Sequence, residues 1–283
     1  MDDPAPRYAY IPWYLSKPAV VSLPVLFGSL YVALLVVSFL PETAIEKGFA
    51  PGLNAKSDAA GFSRSNFTYS FVPALLGMLL FLAMQRLFFT IARLYLWAEL
   101  SRESGSPAGR SLLLDYAASA TIPFGALPQA ITNGHWLIAA LAVMAPLSFA
   151  IPILGGGCFS TYEAQPSGDL LVFPHRSAFY VLLVIMGLYL ATLIIVTIFV
   201  LTFGKRLRLP KPIKSLADIT SLLYASGVLS DAAFQGVYSR VDLRTRLLAA
   251  RERGGPAGAG REVRYFLGAF TGKDGERHLG VDR

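Results

Sequence analysis

Ala178 to Phe203 reads AFYVLLVIMGLYLATLIIVTIFVLTF, 26 residues without a charged side chain, and it runs straight into Gly204-Lys205-Arg206-Leu207-Arg208 and then Lys211 and Lys214. At about 1.5 Å rise per residue this stretch is longer than the roughly 30 Å of bilayer hydrocarbon, so as a helix it spans with some tilt. The basic cluster that follows places this end in the cytoplasm, because Lys and Arg close to a span hold that end on the cytoplasmic side. With 54% hydrophobic and only 15% charged residues and a mean hydropathy of +0.52, the rest of the chain is also too apolar for a soluble domain of 283 residues. The residues after Gly204 hold 15 Lys and Arg against 8 Asp and Glu, the whole net charge of +7. That excess points to anionic lipid headgroups rather than to nucleic acid, since no aromatic-interleaved basic platform accompanies it.

Three further apolar runs precede the anchor. Pro18 to Leu40 is too long for the core of a cleaved signal peptide and follows Trp13 and Tyr14, which are placed as interface anchors. Pro24 should bend its first turns. A second run begins near Phe71 and continues to Leu100. Its Arg86 and Arg93 share a face and lie toward the cytoplasmic end, where long cationic side chains snorkel. Glu99, Arg102 and Glu103 are read as the start of open water. The third run, from Gly134 to Leu154, contains Pro146 and Pro152 and should kink or end early, and Gly155-Gly156-Gly157 should free the backbone beyond it. In the anchor, Gly187 and Ala191 have the spacing of a helix packing seam.

The expected fold is therefore an all-α membrane protein with four transmembrane helices, at about 18–40, 71–92, 134–154 and 178–203. Residues 1–17 form a cytoplasmic segment, and 204–283 a small, basic cytoplasmic α+β tail. The intervening loops are read as surface. Asn66-Phe67-Thr68 is a glycosylation sequon on the non-cytoplasmic side, a few residues from the second span and so close to the bilayer for a transferase. Ser111 to Tyr116 is read as a short amphipathic stretch along the membrane surface or on the span ends. In the tail, Ser215 and Asp218 have the form of a capping box, and Leu216, Ile219, Leu222, Leu223 and Leu229 recur at helical spacing. A second helix is expected from Ser239 to Arg253. A Gly-rich linker then leads to strand-like runs on either side of Lys273-Asp274-Gly275, a hairpin signal.

Ser111-Leu-Leu-Leu-Asp115-Tyr116, Pro123, Ala126-Leu127, His135-Trp136 at the head of a span, and the closing Tyr265-Phe-Leu-Gly268, Asp274-Gly275 and Gly280-Val-Asp-Arg together resemble the DUF3433 family of fungal multi-span membrane proteins. The resemblance implies a single-copy or truncated member and a membrane location, and supplies no catalytic residues. One departure stands after Arg93-Leu94, where members tend to carry proline and this chain has Tyr95-Leu96-Trp97.

Chemistry is expected to be absent. Cys158 is the single cysteine, so no intrachain disulfide forms. His135, His175 and His278 fall in separate regions without metal-ligand spacing, and no nucleotide or nucleophile motif is present. No enzyme, cofactor or metal is expected. The reading is a scaffold or organiser in the plasma membrane or an endomembrane of the secretory pathway. Lys205, Arg206, Arg208, Lys211 and Lys214 would contact headgroups, and the leucine stripe would pack on the hairpin, the membrane, a protein partner or a second copy. The alternative is a pore- or transport-forming subunit. It is disfavoured by the lack of lysine or acid inside the spans.

Overall fold

A computed structural model gives the architecture. It describes residues 10–39, 67–102, 104–116, 123–164, 169–204, 207, 209, 213, 215–224, 226–249, 263–272 and 274–283. The chain is mostly helical, and four of its helices are long and apolar enough to cross a membrane: Lys17–Val36, Phe67–Leu100, Trp136–Gly157 and Arg176–Phe203. Two compact units emerge, one of residues 18–89 and 121–198, the other of residues 1–17, 90–120 and 199–283.

The first unit is a helical bundle. Helix α1 spans Lys17–Phe39, and α2 spans Val72–Leu100 after a π-turn at Phe67–Phe71. A short helix, α3 (Leu127–Thr132), precedes α4 (Trp136–Leu147) and α5 (Ala150–Gly157). Strands β2 (Phe159–Ala164) and β3 (Asp169–Pro174) pair antiparallel and lead into α6 (Arg176–Phe203). The expected outer loop is thus a hairpin. Its closing bond, from the His175 amide to the Cys158 carbonyl at 2.7 Å, fixes the start of α6 beside the end of α5.

Direction in the bundle follows from paired contacts. Val20 and Tyr31 of α1 meet Thr197 and Leu183 of α6 respectively, so these helices run antiparallel. Gln85 meets Ala145, while Gly77 lies against Pro152 and Gly155 against Pro73, so α2 runs antiparallel to α4 and α5. Polar side chains here serve carbonyls that the helices leave short of donors. Pro24 has no N–H to give the Val20 carbonyl, and Thr197 Oγ1 lies 2.9 Å from that oxygen. The third apolar run breaks as its prolines require. Pro146 sits in the last turn of α4, α5 restarts at Ala150, and the Ala145 carbonyl accepts from Ser148 Oγ at 2.6 Å and Gln85 Nε2 at 2.9 Å.

The triple glycine requires a correction. Gly155 to Gly157 do not loosen the backbone but form the end of α5, and a Cβ on Gly155 would stand 3.0 Å from the Pro73 carbonyl oxygen. Gly155 and Gly156 are small where α2 comes close, whereas Gly157 has open space around it. Of the seam expected on α6, Gly187 packs under the Tyr31 hydroxyl, whereas Ala191 is exposed. Arg86 and Arg93 are both exposed.

The second unit gathers three chain segments. Tyr10 and Leu209 exchange two backbone hydrogen bonds of 3.0 Å, and the Tyr14 hydroxyl lies 2.6 Å from Thr90 Oγ1. Tyr95 packs against Tyr116 and stacks on Phe199. Strand β1 (Ser106–Pro107) pairs with β4 (Arg264–Thr271), which pairs with β5 (Arg277–Asp282), so the expected C-terminal hairpin has a third strand from a distant loop. Two more readings meet their outcome in this unit. Ser111 to Tyr116 is a run of turns with Ser111 and Tyr116 buried, and Tyr116 packs on Tyr95 near the end of α2, in keeping with packing on a span end. Glu99 is buried, not in open water, and accepts from Arg102 at 2.8 Å.

Candidate functional site: the tail platform

The tail is built from local signals that agree with one another. Ser215 caps α7 (Leu216–Leu223): its hydroxyl accepts from the Asp218 amide, and the Asp218 carboxylate accepts from the Ser215 amide at 2.9 Å, a full capping box. The helix then lies on β5. Leu222 is buried there and Leu223 half-buried, whereas Ile219 and Leu229 are exposed. The stripe read from the sequence is therefore only partly covered by the hairpin. The helix ends at Leu223, and a separate turn, Gly227–Ser230, carries Leu229 onto another face. Of Leu216, the structure describes the backbone alone.

Between helix and strand lies a buried polar link. Ser226 Oγ donates to the Val281 carbonyl at 2.6 Å and accepts from the Val228 amide at 3.1 Å, closing the chain over the end of β5. Nearby, the Asp231 carboxylate accepts from Arg283 at 3.0 Å, and Phe234 meets the fully buried Tyr265 ring edge-on. Helix α8 (Arg240–Ala249) is tied in by an ion pair from Arg240 to Asp115, and Leu248 packs on Gly109.

Burial first, and the neighbouring Asp231 carboxylate second, push the Tyr265 hydroxyl up to about 12 from its ordinary 10. The folded tail thus favours the protonated phenol, so this contribution to stability is complete below pH 10 and lost as pH climbs through about 12. The chain should become more open to protease in its tail across that window, and Tyr265→Phe should remove most of the change. An identical alkaline profile in the two chains would contradict the assignment.

The hairpin turn brings together a group that the histidine spacing did not suggest. Asp274, Glu276 and His278 each bring one ligand atom within 4.8 Å of the others, and His278 Nε2 is 2.6 Å from Asp274 Oδ2. Slight desolvation opposes the shift, but the Glu276 amide and His278 outweigh it and hold the Asp274 carboxyl below its usual range. The ring of His278 is flanked by Tyr224 and Phe270. The alternation Asp-x-Glu-x-His across a turn is the signal that could have found this group.

Large apolar side chains stay exposed on the tail: Tyr224, Leu229, Tyr238, Val241 and Leu248. The five basic residues assigned to headgroups, Lys205, Arg206, Arg208, Lys211 and Lys214, lie outside the described residues, as does Asn66 of the sequon. A separate feature belongs to the helical unit. A cavity of about 410 Å³ sits among α1, α2, α5 and α6, lined entirely by apolar residues that include Leu30, Leu76, Ile151, Cys158 and Phe179.

No curated protein and no solved structure matches the chain. A family model does match, over residues 67–160, which take in α2, β1 and α3 to α5. The closing motif at 265–283, part of the resemblance, lies outside that match. Residues 67–160 are thus similar to the family described as Protein of unknown function (DUF3433).

Proposed function

We propose that the protein is a membrane-anchored scaffold, with the four apolar helices in the bilayer and the chain that precedes α1, follows α2 and follows α6 presented to partners in the cytoplasm. One observation carries the reading. The segments that precede α1, follow α2 and follow α6 fold into a single body, joined through Tyr10 with Leu209, Tyr14 with Thr90, and β1 with β4. Three helix ends that share a folded body lie on one side of the membrane, which an even number of crossings requires. The basic cluster after Phe203 favours the cytoplasm as that side and anionic headgroups as its neighbours.

The exposed Tyr224, Tyr238 and Val241 supply the kind of apolar and aromatic contacts that partner surfaces use. A transport reading gains less support. The cavity among the helices has no charged lining residue to guide an ion or polar solute.

Protease treatment of sealed, right-side-out vesicles tests the topology. An epitope appended to Arg283 should be shielded and one inserted in the 41–66 loop cut, and the reverse pattern would refute it. Mild-detergent purification from native membrane should then retain a protein partner that is lost when Tyr224 and Val241 are both changed to Ser. Ion or solute flux from liposomes holding the pure chain would favour the alternative.

A further inference from the structure

We infer that the cavity among α1, α2, α5 and α6 is a binding site for one acyl chain of a bilayer phospholipid. Its volume of about 410 Å³ lies within the range of small-molecule sites. Every lining side chain is apolar, including those of Leu34, Leu80, Cys158, Phe179, Leu182 and Met186. Apart from the weak Cys158 thiol, no side chain inside it offers a hydrogen bond to the hydroxyl of a sterol or the head of a quinone, and a polymethylene chain needs none.

The cavity opens onto the surface that faces lipid. Leu30 and Leu76 are lining residues that are also 61% and 56% exposed, so the pocket and the lipid-facing surface of the bundle are continuous. In depth it runs along the first turns of α6, from Phe179 to Met186, and along the last of α5. At 1.5 Å per residue that places it roughly 5–15 Å in from the start of α6 at Arg176, the reach of a chain in a single leaflet. Exposed Arg176 and His175 stand where the headgroup of such a lipid would lie.

The bilayer around the bundle supplies hydrocarbon to an apolar cavity of this kind at no desolvation cost. A lipid chain fills it with dispersion contacts on all sides. The inference concerns the helical bundle only and holds for either orientation, so its failure would leave the scaffold reading untouched.

The test uses the full chain reconstituted in phosphatidylcholine nanodiscs with a trace of phosphatidylcholine carrying a mid-chain diazirine. After irradiation, adducts mapped by mass spectrometry should concentrate on Leu30 to Leu34, Leu76 to Leu80 and Leu182 to Met186. Ile194, Ile195 and Ile198, exposed on the same helix, should be labelled only at the level of bulk lipid. Leu182→Trp fills the cavity and should lower the concentrated labelling by about tenfold. Ile195→Trp adds the same bulk on the lipid-facing side and should leave it unchanged. If Leu182→Trp does not give a monodisperse protein, Ala33→Phe at the mouth of the cavity takes its place. Labelling spread evenly over all lipid-facing residues, or unchanged in the filled variant, would overturn the inference. So would a photoreactive sterol that marks these residues while the phospholipid does not.

Discussion

Gly280→Ala is expected to lift α7 off the C-terminal strand and loosen the tail. A Cβ at this position would collide with the carbonyl oxygen of Leu222 and stand 2.9 Å from its carbonyl carbon. Both are backbone atoms, so no side chain can swing aside, and either helix or strand must move. Strand β5 is held in register by β4, with Gly268 opposite Gly280, and the helix is the part that yields. Its departure exposes Leu222, which costs about 1.5–3 kcal/mol, and breaks the buried bond from Ser226 to Val281, which costs about 1 kcal/mol more.

Two strands and one short added strand make a marginal sheet without a helix to cover them. The expected readout is faster proteolysis between Leu216 and Ser230 in the detergent-solubilised chain, with loss of partner capture and retention of the four helices. Gly268→Ala is the control. Its Cβ would meet only the Phe266 ring, at 3.2 Å, and that ring can turn. Equal sensitivity of the two variants would disprove the close contact. On the same grounds Leu222→Asp should be far more damaging than Leu223→Asp, since only the first places a carboxylate in a fully covered position.

Gly77→Leu should produce the largest loss in the helical unit. A Cβ on Gly77 would lie 2.7 Å from Pro152 Cα and 2.8 Å from its nitrogen, again backbone atoms that cannot rotate away. Across the same crossing, Gly155 faces the Pro73 carbonyl and Gly156 faces the Ala74 methyl. Helices in lipid gain little from hydrophobic burial against one another, so their association rests on close contact of this kind. Forcing α2 and α5 apart should cost about 2–4 kcal/mol and appear as earlier thermal aggregation in detergent. Gly157→Ala supplies the comparison, because nothing lies within 4 Å of its Cβ position and a helical alanine is favoured over glycine by about 1 kcal/mol. A Gly77→Leu protein as stable as the parent would remove the crossing from its place in the fold.

The sequence by itself determined what depends on neighbours along the chain. Long apolar runs marked the four apolar helices, because hydropathy summed over twenty residues outweighs local detail such as Arg86 and Arg93. Ser215 with Asp218 marked the start of α7 and Asp274-Gly275 the hairpin turn, because caps and turns are satisfied within four residues. Pro146 marked the break in the third apolar run for the same reason.

What only the tertiary structure decided depends on residues far apart in sequence. Ser106 and Pro107 carry no strand signal, and they join the sheet because Arg264 and Tyr265 present an open edge beside them. Glu99 looks like a surface acid and is buried, because the turns that follow it fold back over the end of α2 instead of leaving as an exposed loop. Gly155 to Gly157 have the composition of a hinge, but they continue α5, and the Pro73 backbone and the Ala74 methyl close against Gly155 and Gly156 make those two a packing face instead. Periodicity showed that Leu222 and Leu229 recur in helical register, but their burial differs because the helix stops between them and β5 reaches only the first. Pairing across hundreds of ångströms of contour length depends on which surfaces the folded chain brings into contact, and no local pattern encodes that.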